Sequence, residues 1–453
     1  MNSIYQIFKK HIDRLHQQHP GLAVIINNVG WLSVDQAIRM VGTLFVGVWI
    51  ARYLGPSRYG QLNYALALVA LVASPASLGL DDITVKHLVA KRFSHAEILG
   101  STFILRFAAG CFAYLLICFY ALESVHDKEM RILLSIIGIC AVTQAFNNIA
   151  LLFRANSSSK QIVQTRNFSF LLTTCIRIVM ISENRPLIEF AWMIVAELLL
   201  TSFLWCAVYT RLVGPILKWR FNTPLALNLL KQSWPILLSV IAATIYTRID
   251  VVMLEAFTTK TEVGIYAAAV RISEVCYCIP AILASALFPA IVRSRDKGEV
   301  LYFRRLQHVF NINSLLAYLV TIGITLFSSQ IVNILYGSGF SKAAQILTIH
   351  IWASIFLFLG VAAGMFLINE GLTVFTFIST SAGAIVNILL NLALIPHFGG
   401  VGAAVSTVVS YAVAAVLCCF AYQKTRRLGF MQLHAITHPL SAFRIPRAPD
   451  DDL

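Results

Sequence analysis

Apolar blocks of about 20 residues, the length that crosses a hydrocarbon core, recur along almost all of this 453-residue chain. Turn residues and charge clusters divide them into twelve spans. The first six lie near 27–51, 59–80, 97–121, 131–153, 167–183 and 187–209, and the second six near 233–257, 264–290, 309–328, 345–368, 373–395 and 401–422. Lipid offers no partner to a backbone N–H or C=O, so continuous crossing segments of this length must be helices. The expected fold is therefore an all-α polytopic membrane protein with about twelve transmembrane helices.

Composition agrees: 58% of residues are hydrophobic and only 12% charged, against about 25% charged in soluble chains. The net charge of +14 has no basic soluble domain to carry it, which argues against nucleic acid as a partner. It reports topology instead. Of the 35 Lys and Arg, 23 fall at the N-terminus, in the loops after even-numbered spans and in the tail. Seven (Arg52, Arg58, Lys128, Arg131, Arg185, Lys260 and Lys342) fall on the opposite side. By the positive-inside rule both termini are cytoplasmic.

The resulting division is a cytoplasmic N-terminal segment at 1–26, an N-lobe of spans 1–6 at 27–209 and a cytoplasmic linker at 210–232. A C-lobe of spans 7–12 follows at 233–422, then a disordered cytoplasmic tail at 423–453. Residues 1–20 are polar and basic with no small-residue cleavage site, so the first span is expected to act as its own insertion signal. The nine cysteines form no CxxC and no metal spacing and read as packing residues. The longest external segment has about seventeen residues, too few for a folded domain. Two features repeat between the halves. Gly60 and Gly264 each open a span with small residues and tyrosine, and Pro75 and Pro280 each interrupt that span at the same depth. Six spans per half keep both copies in one orientation, so two six-helix lobes are expected, with the prolines as candidate hinges.

Five arginines lie inside spans: Arg39, Arg106, Arg177, Arg248 and Arg271. Four of them lie near span centres, where each costs about 2.5–3.5 kcal/mol to insert, on the order of 10–15 kcal/mol together. Internal pairing is one answer. Asp35 and Arg39 are four residues apart, Arg271 and Glu274 three, and Glu197 can reach Arg106 or Arg177 from a neighbouring helix. Arg248 and Asp250 point about 200° apart on one helix and cannot pair with each other. A cationic, water-filled cavity is the other answer. No lysine occurs at these depths, and a guanidinium fork suits phosphate. All five arginines are therefore candidate substrate-binding groups, with Asp35, Asp250, Glu274 and Glu197 modulating their charge. No phosphate loop of the Gly-Lys-Ser/Thr kind is present, so no ATP-driven motor and no enzyme activity is expected.

Four stretches carry a resemblance: "IARYLGPSRYGQLNYALALVAL", "VGIYAAAVRISEVCYCIPAILASALFPAI", "LYGSGFSKAAQIL" and "NILLNLALIPHFGGVGAAVSTVVSY". In this order and spacing they resemble the polysaccharide transporter family, Wzx-type flippases of lipid-linked O-antigen units within the multidrug/oligosaccharidyl-lipid/polysaccharide exporters. The resemblance implies two lobes around a central cavity that alternates between the two sides of the membrane. It further implies an oligosaccharide on undecaprenyl pyrophosphate as cargo, a bacterial cytoplasmic (inner) membrane location, and polysaccharide polymerase and chain-length machinery as partners beside the bilayer. No cofactor is expected; a proton or a sodium ion is the coupling species considered. Arg248, Asp250, Arg271 and Glu274 lie in or beside the family-like motifs, whereas Arg106 and Arg177 lie outside them. The alternatives are a cation or drug exporter of the same fold and a membrane-embedded polysaccharide polymerase.

Overall fold

The computed structural model describes the backbone of residues 20–443 except Lys91 and Ser157; the side chains of residues 20–38, Val41, Ser159, Ser285 and Ala286 lie outside the description. The described chain is helical, with short turns. Helix α1 spans Pro20–Ala73, α2 Leu80–Ala90, α3 His95–Glu123, α4 Lys128–Thr143, α5 Asn147–Ala155, α6 Ser159–Ser182, α7 Leu187–Leu212 and α8 Thr223–Phe257. Then come α9 Lys260–Val275, α10 Cys278–Asp296, α11 Glu299–Tyr336, α12 Ala343–His350, α13 Ala353–Asn369, α14 Thr373–Ala412, α15 Cys418–Ala421 and α16 Arg426–Thr437.

Among the described residues nine stretches are long and apolar enough to cross a membrane. Two of these hold a pair of crossings each. The first is divided at Gly55 (φ 71°) and the second at Gly399 (φ 55°), backbone conformations that L side chains rarely adopt. Counting α6, which is less apolar, they account for the twelve crossings expected. Several crossings are broken midway: α1 from α2 by Ser74–Ser77, α4 from α5 by Gln144–Phe146, α9 from α10 by Cys276–Tyr277 and α12 from α13 by Ile351–Trp352. Pro75 sits at the start of the first break and Pro280 in the first turn of α10, just beyond the third. Both prolines occupy first-turn positions, where the missing N–H costs nothing.

Two compact units emerge. One comprises Val72–Leu237 with the chain before Thr43, the other Thr43–Leu71 with Leu238–Leu453. The second unit therefore takes in the end of the first span and most of the second, which the span map put with the first six. The core of the first unit gathers Leu80, Ile98, Leu99, Ile149, Leu152 and Leu229. That of the second gathers Tyr302, Leu306, Phe310, Phe358, Leu359 and Leu428.

Helices run across two of the expected boundaries, and the tail differs from expectation. Helix α1 already runs at Pro20, within the segment expected at 1–26. Residues 223–232 of the expected linker are helical: Asn222 caps the backbone N–H of Leu225 at 3.1 Å and starts α8 ten residues before the apolar run. The tail is not disordered up to Phe443. Leu428, Met431, Gln432 and Ala435 recur at helical spacing and are buried against the rest of the second unit. Ser314 Oγ donates to the Ala435 carbonyl at 2.7 Å, Gln307 Nε2 to that of Met431 at 3.0 Å, and Arg427 pairs with Glu299 at 2.9 Å. Basic residues and prolines masked an amphipathic stripe. Residues 444–453 lie outside the description.

The four family-like motifs converge at one end of the second unit. Gly60 crosses Gly264, Pro56 lies against Gly339, and the Tyr59 and Phe340 rings meet edge to face at 6.2 Å. The carboxylate of Glu262 accepts the Gly400 backbone N–H at 3.0 Å, and Ile346 packs against Gly400. A carboxylate at the start of the post-Gly399 helix satisfies an orphan donor and opposes the helix dipole.

Candidate functional site

The intramembrane ions fall into three environments. In the first unit Arg106 is 1% exposed on α3 and bonds to the Asp81 carboxylate in the first turn of α2. Arg177 on α6, also buried, donates to Glu197 on α7 at 2.9 Å and to the Met193 carbonyl at 3.3 Å. Thr173 Oγ1 adds a further donor to Glu197 at 3.3 Å. Of the two partners open to Glu197, the structure selects Arg177. Both pairs tie one helix to another, and both close at the arginine, although Asp81 is 59% exposed. Arg39 lies over the Phe170 ring, 5.7 Å from its centroid, a cation–π distance. The Asp35 side chain lies outside the described residues.

The second unit holds the open group. Arg248 on α8 and Arg271 on α9 stand about 14 and 16 Å along their helices from Phe257 and Lys260, well inside stretches long enough to cross a core about 30 Å thick. Glu274 lies between them. Its Oε1 is 3.7 Å from Arg248 and its Oε2 is 3.9 Å from Arg271. Neither contact is within hydrogen-bond distance, and the arginine side chains are 44% and 33% exposed. Two guanidinium groups and one carboxylate leave the group net positive. An arginine at this depth cannot face hydrocarbon cheaply, so its open side needs water or an anion.

Asp250, two residues from Arg248, faces the opposite way and is buried. Tyr266 Oη donates to its Oδ2 at 2.8 Å, Thr407 Oγ1 to the same oxygen at 2.8 Å, and Asn391 Nδ2 to its Oδ1 at 2.6 Å. Asn387 continues the cage through Asn391 at 3.1 Å, and Ser410 lies 3.5 Å beyond it. All five neighbours are buried and neutral. A buried carboxylate with neutral donors only is expensive as an anion, and it calls for a proton or a bound cation. The Oδ1 of Asn391 is buried without a hydrogen-bond partner.

Sequence reasoning placed Arg248, Arg271, Glu274 and Asp250 on adjacent helices, and the structure brings the first three together and sets Asp250 apart. It missed Tyr266, Asn387, Asn391 and Thr407. The signal was available in "NILLN": two asparagines four residues apart in an apolar span share one helix face.

Comparison with known proteins places the fold and the family. A family model described as polysaccharide biosynthesis protein matches residues 49–345. The chain is 27% identical over 392 residues to a probable low-salt glycan biosynthesis flippase, Agl15, of Haloferax volcanii, covering 83% of this chain and 79% of that protein. It is 29% identical over 185 residues to the probable flippase AglR of the same organism, covering 40% and 38% respectively. Among solved structures, the lipid II flippase MurJ in an inward closed conformation superposes with a TM-score of 0.71 at 13% identity, covering 92% of this chain and 93% of that one. An inward-facing multidrug resistance MATE transporter of the MOP superfamily gives 0.68 at 14% identity, covering 90% and 99%. The low identities speak for the fold, and the family match, which takes in Arg248, Glu274, two of the four motifs whole and most of a third, speaks for descent: this multi-pass membrane protein belongs to the polysaccharide biosynthesis protein family, with the helical fold of the MOP-superfamily transporters.

Proposed function

We propose that the protein is a flippase of lipid-linked glycans. Its cargo is an oligosaccharide repeat unit on undecaprenyl pyrophosphate, moved by alternating access from the cytoplasmic to the periplasmic leaflet of a bacterial inner membrane with both termini cytoplasmic. The product would feed a polysaccharide polymerase and chain-length machinery in O-antigen, capsule or exopolysaccharide assembly. The observation that carries the reading is the open pair Arg248 and Arg271 inside the crossing stretches, net positive and incompletely neutralised. Each fork can bind a phosphate through two parallel hydrogen bonds. Arg106 and Arg177, in closed pairs, act in this reading on helix packing. The flippase names of the relatives support the same direction.

A cation or drug exporter of the same fold would require acidic groups on the open side, whereas the open acid here, Glu274, is outnumbered by arginine. For coupling, Asp250 with Asn391 and Thr407 would hold a sodium ion or a proton; the occupant supplies the charge that the carboxylate lacks. The test is flipping of a defined undecaprenyl-pyrophosphate oligosaccharide in reconstituted vesicles. Arg248→Lys should transport poorly and Arg248→Ala worse, each with parental protein abundance. Parental transport by both variants would reject the phosphate-binding role.

A further inference from the structure

Resting on that reading of the two arginines, we infer that Glu274 is the site's built-in counter-anion, occupying the phosphate position until cargo displaces it. The carboxylate divides itself: Oε1 faces Arg248 of α8 and Oε2 faces Arg271 of its own helix, at 3.7 and 3.9 Å. A carboxylate built to lock an arginine closes to 2.7–2.9 Å, as Glu197 does with Arg177 at 2.9 Å, where both side chains are nearly buried at 8% and 15%. Glu274 closes on neither of its partners and stays 28% exposed. Such a contact holds two like charges near each other without engaging their hydrogen-bonding forks.

The forks therefore remain free for a stronger ligand. A phosphate brings more charge and three acceptor oxygens to the same place, and each guanidinium can make two parallel bonds to it. Binding then exchanges one anion for another, so neither arginine is left uncompensated inside its crossing stretch before loading or after release. The carboxylate lowers affinity for cargo and in return expels it once the far side is open. Glu274 is a positioning residue in this scheme; it acts through the arginines, not by contact with the cargo.

The experiment measures binding of two probes, farnesyl pyrophosphate and inorganic pyrophosphate, to the full-length detergent-solubilised protein. Glu274→Gln keeps size and removes the competing charge, and it should bind both probes about tenfold tighter than the parent. In vesicles the same variant should turn over more slowly at saturating cargo. Arg248→Ala should weaken binding of both probes at least about tenfold. Glu274→Asp retains the charge and should bind no tighter than the parent. If Glu274→Gln binds no tighter while Arg248→Ala weakens binding, the counter-anion role is rejected and the arginine site stands. If neither Arg248→Ala nor Arg271→Ala changes binding, the arginine site fails and this inference falls with it. Equal tightening in Glu274→Asp, which keeps the charge, and Glu274→Gln, which removes it, would show that the charge is not what competes, and a gain confined to farnesyl pyrophosphate would assign it to the lipid tail; either overturns the proposal.

Discussion

Gly60 and Gly264, 204 residues apart, face each other where α1 crosses α9 in the second unit. A methyl group on Gly60 would stand 1.8 Å from the Lys260 carbonyl oxygen and 2.9 Å from the Gly264 nitrogen. One on Gly264 would stand 1.9 Å from the Pro56 carbonyl oxygen and 2.9 Å from the Gly60 nitrogen. The obstructing atoms are backbone, so no rotamer change relieves them. Gly60→Ala and Gly264→Ala should each push the helices apart and cost about 3 kcal/mol or more. The melting temperature of the purified protein checks this, and the double variant should fall short of additivity because both methyl groups invade one crossing.

The two closed ion pairs should respond differently to removal of either partner. Arg177→Ala leaves Glu197, only 15% exposed, without its cation and should destabilise by about 3 kcal/mol. Asp81→Ala should cost about as much, because it strands the buried Arg106. Arg106→Ala should be milder on the charge side, since Asp81 is 59% exposed and water can take over. Steady-state abundance in membranes and thermal unfolding of the solubilised variants read out the order.

Much of this fold was legible in the chain. Block length, charge bias and the glycine and proline pairs give twelve helices and two of their four breaks, because lipid forces backbone hydrogen bonds to close within each helix. The partner of a given arginine was not legible. Glu197 reaches Arg106 as readily as Arg177 on paper, and only helix packing decides. The Asp250 cage was hidden for a related reason: its neutral residues come from three separate stretches, and only Asn387 and Asn391 show a spacing of their own. That Thr43–Leu71 packs with Leu238–Leu453 depends on the Gly60 crossing, which a repeat offset reveals only as an equivalence.

Asp250→Asn keeps the shape of the cage and removes its ionisable group. The variant should reach parental abundance, while transport should lose its response to an imposed sodium or proton gradient. Vesicle flipping assays with each gradient set separately measure this. A variant that keeps the parental response to both gradients would move the coupling site elsewhere.

Pro280 stands immediately beyond the Cys276–Tyr277 break, as Pro75 stands at the Ser74–Ser77 break. If the α9–α10 junction bends during transport, Pro280→Ala should accumulate normally, slow flipping and bias cysteine labelling toward one membrane face. Unchanged two-sided labelling with parental flipping would leave the proline a packing role only.

Ending the chain after Lys424 should destabilise the second unit. The deletion strips Leu428, Met431 and Ala435 from its core and leaves Ser314 and Gln307 without their carbonyl partners. A loss of about 3 kcal/mol or more is expected from the apolar surface exposed, seen as a lower melting temperature and faster proteolysis.

The grouping of Thr43–Leu71 with Leu238–Leu453 also sets a schedule for biogenesis. The ribosome releases Gly60 early, yet the helix that must receive it, beginning at Lys260, is made about 200 residues later. At roughly 5–20 residues per second the first segment waits on the order of 10–40 s in the bilayer with its glycine face bare. During that interval its small-residue surface is open to any other nascent helix. Correct assembly therefore depends on how quickly translation delivers the second half, and slowing synthesis between codons 71 and 260 lengthens the window for mispairing.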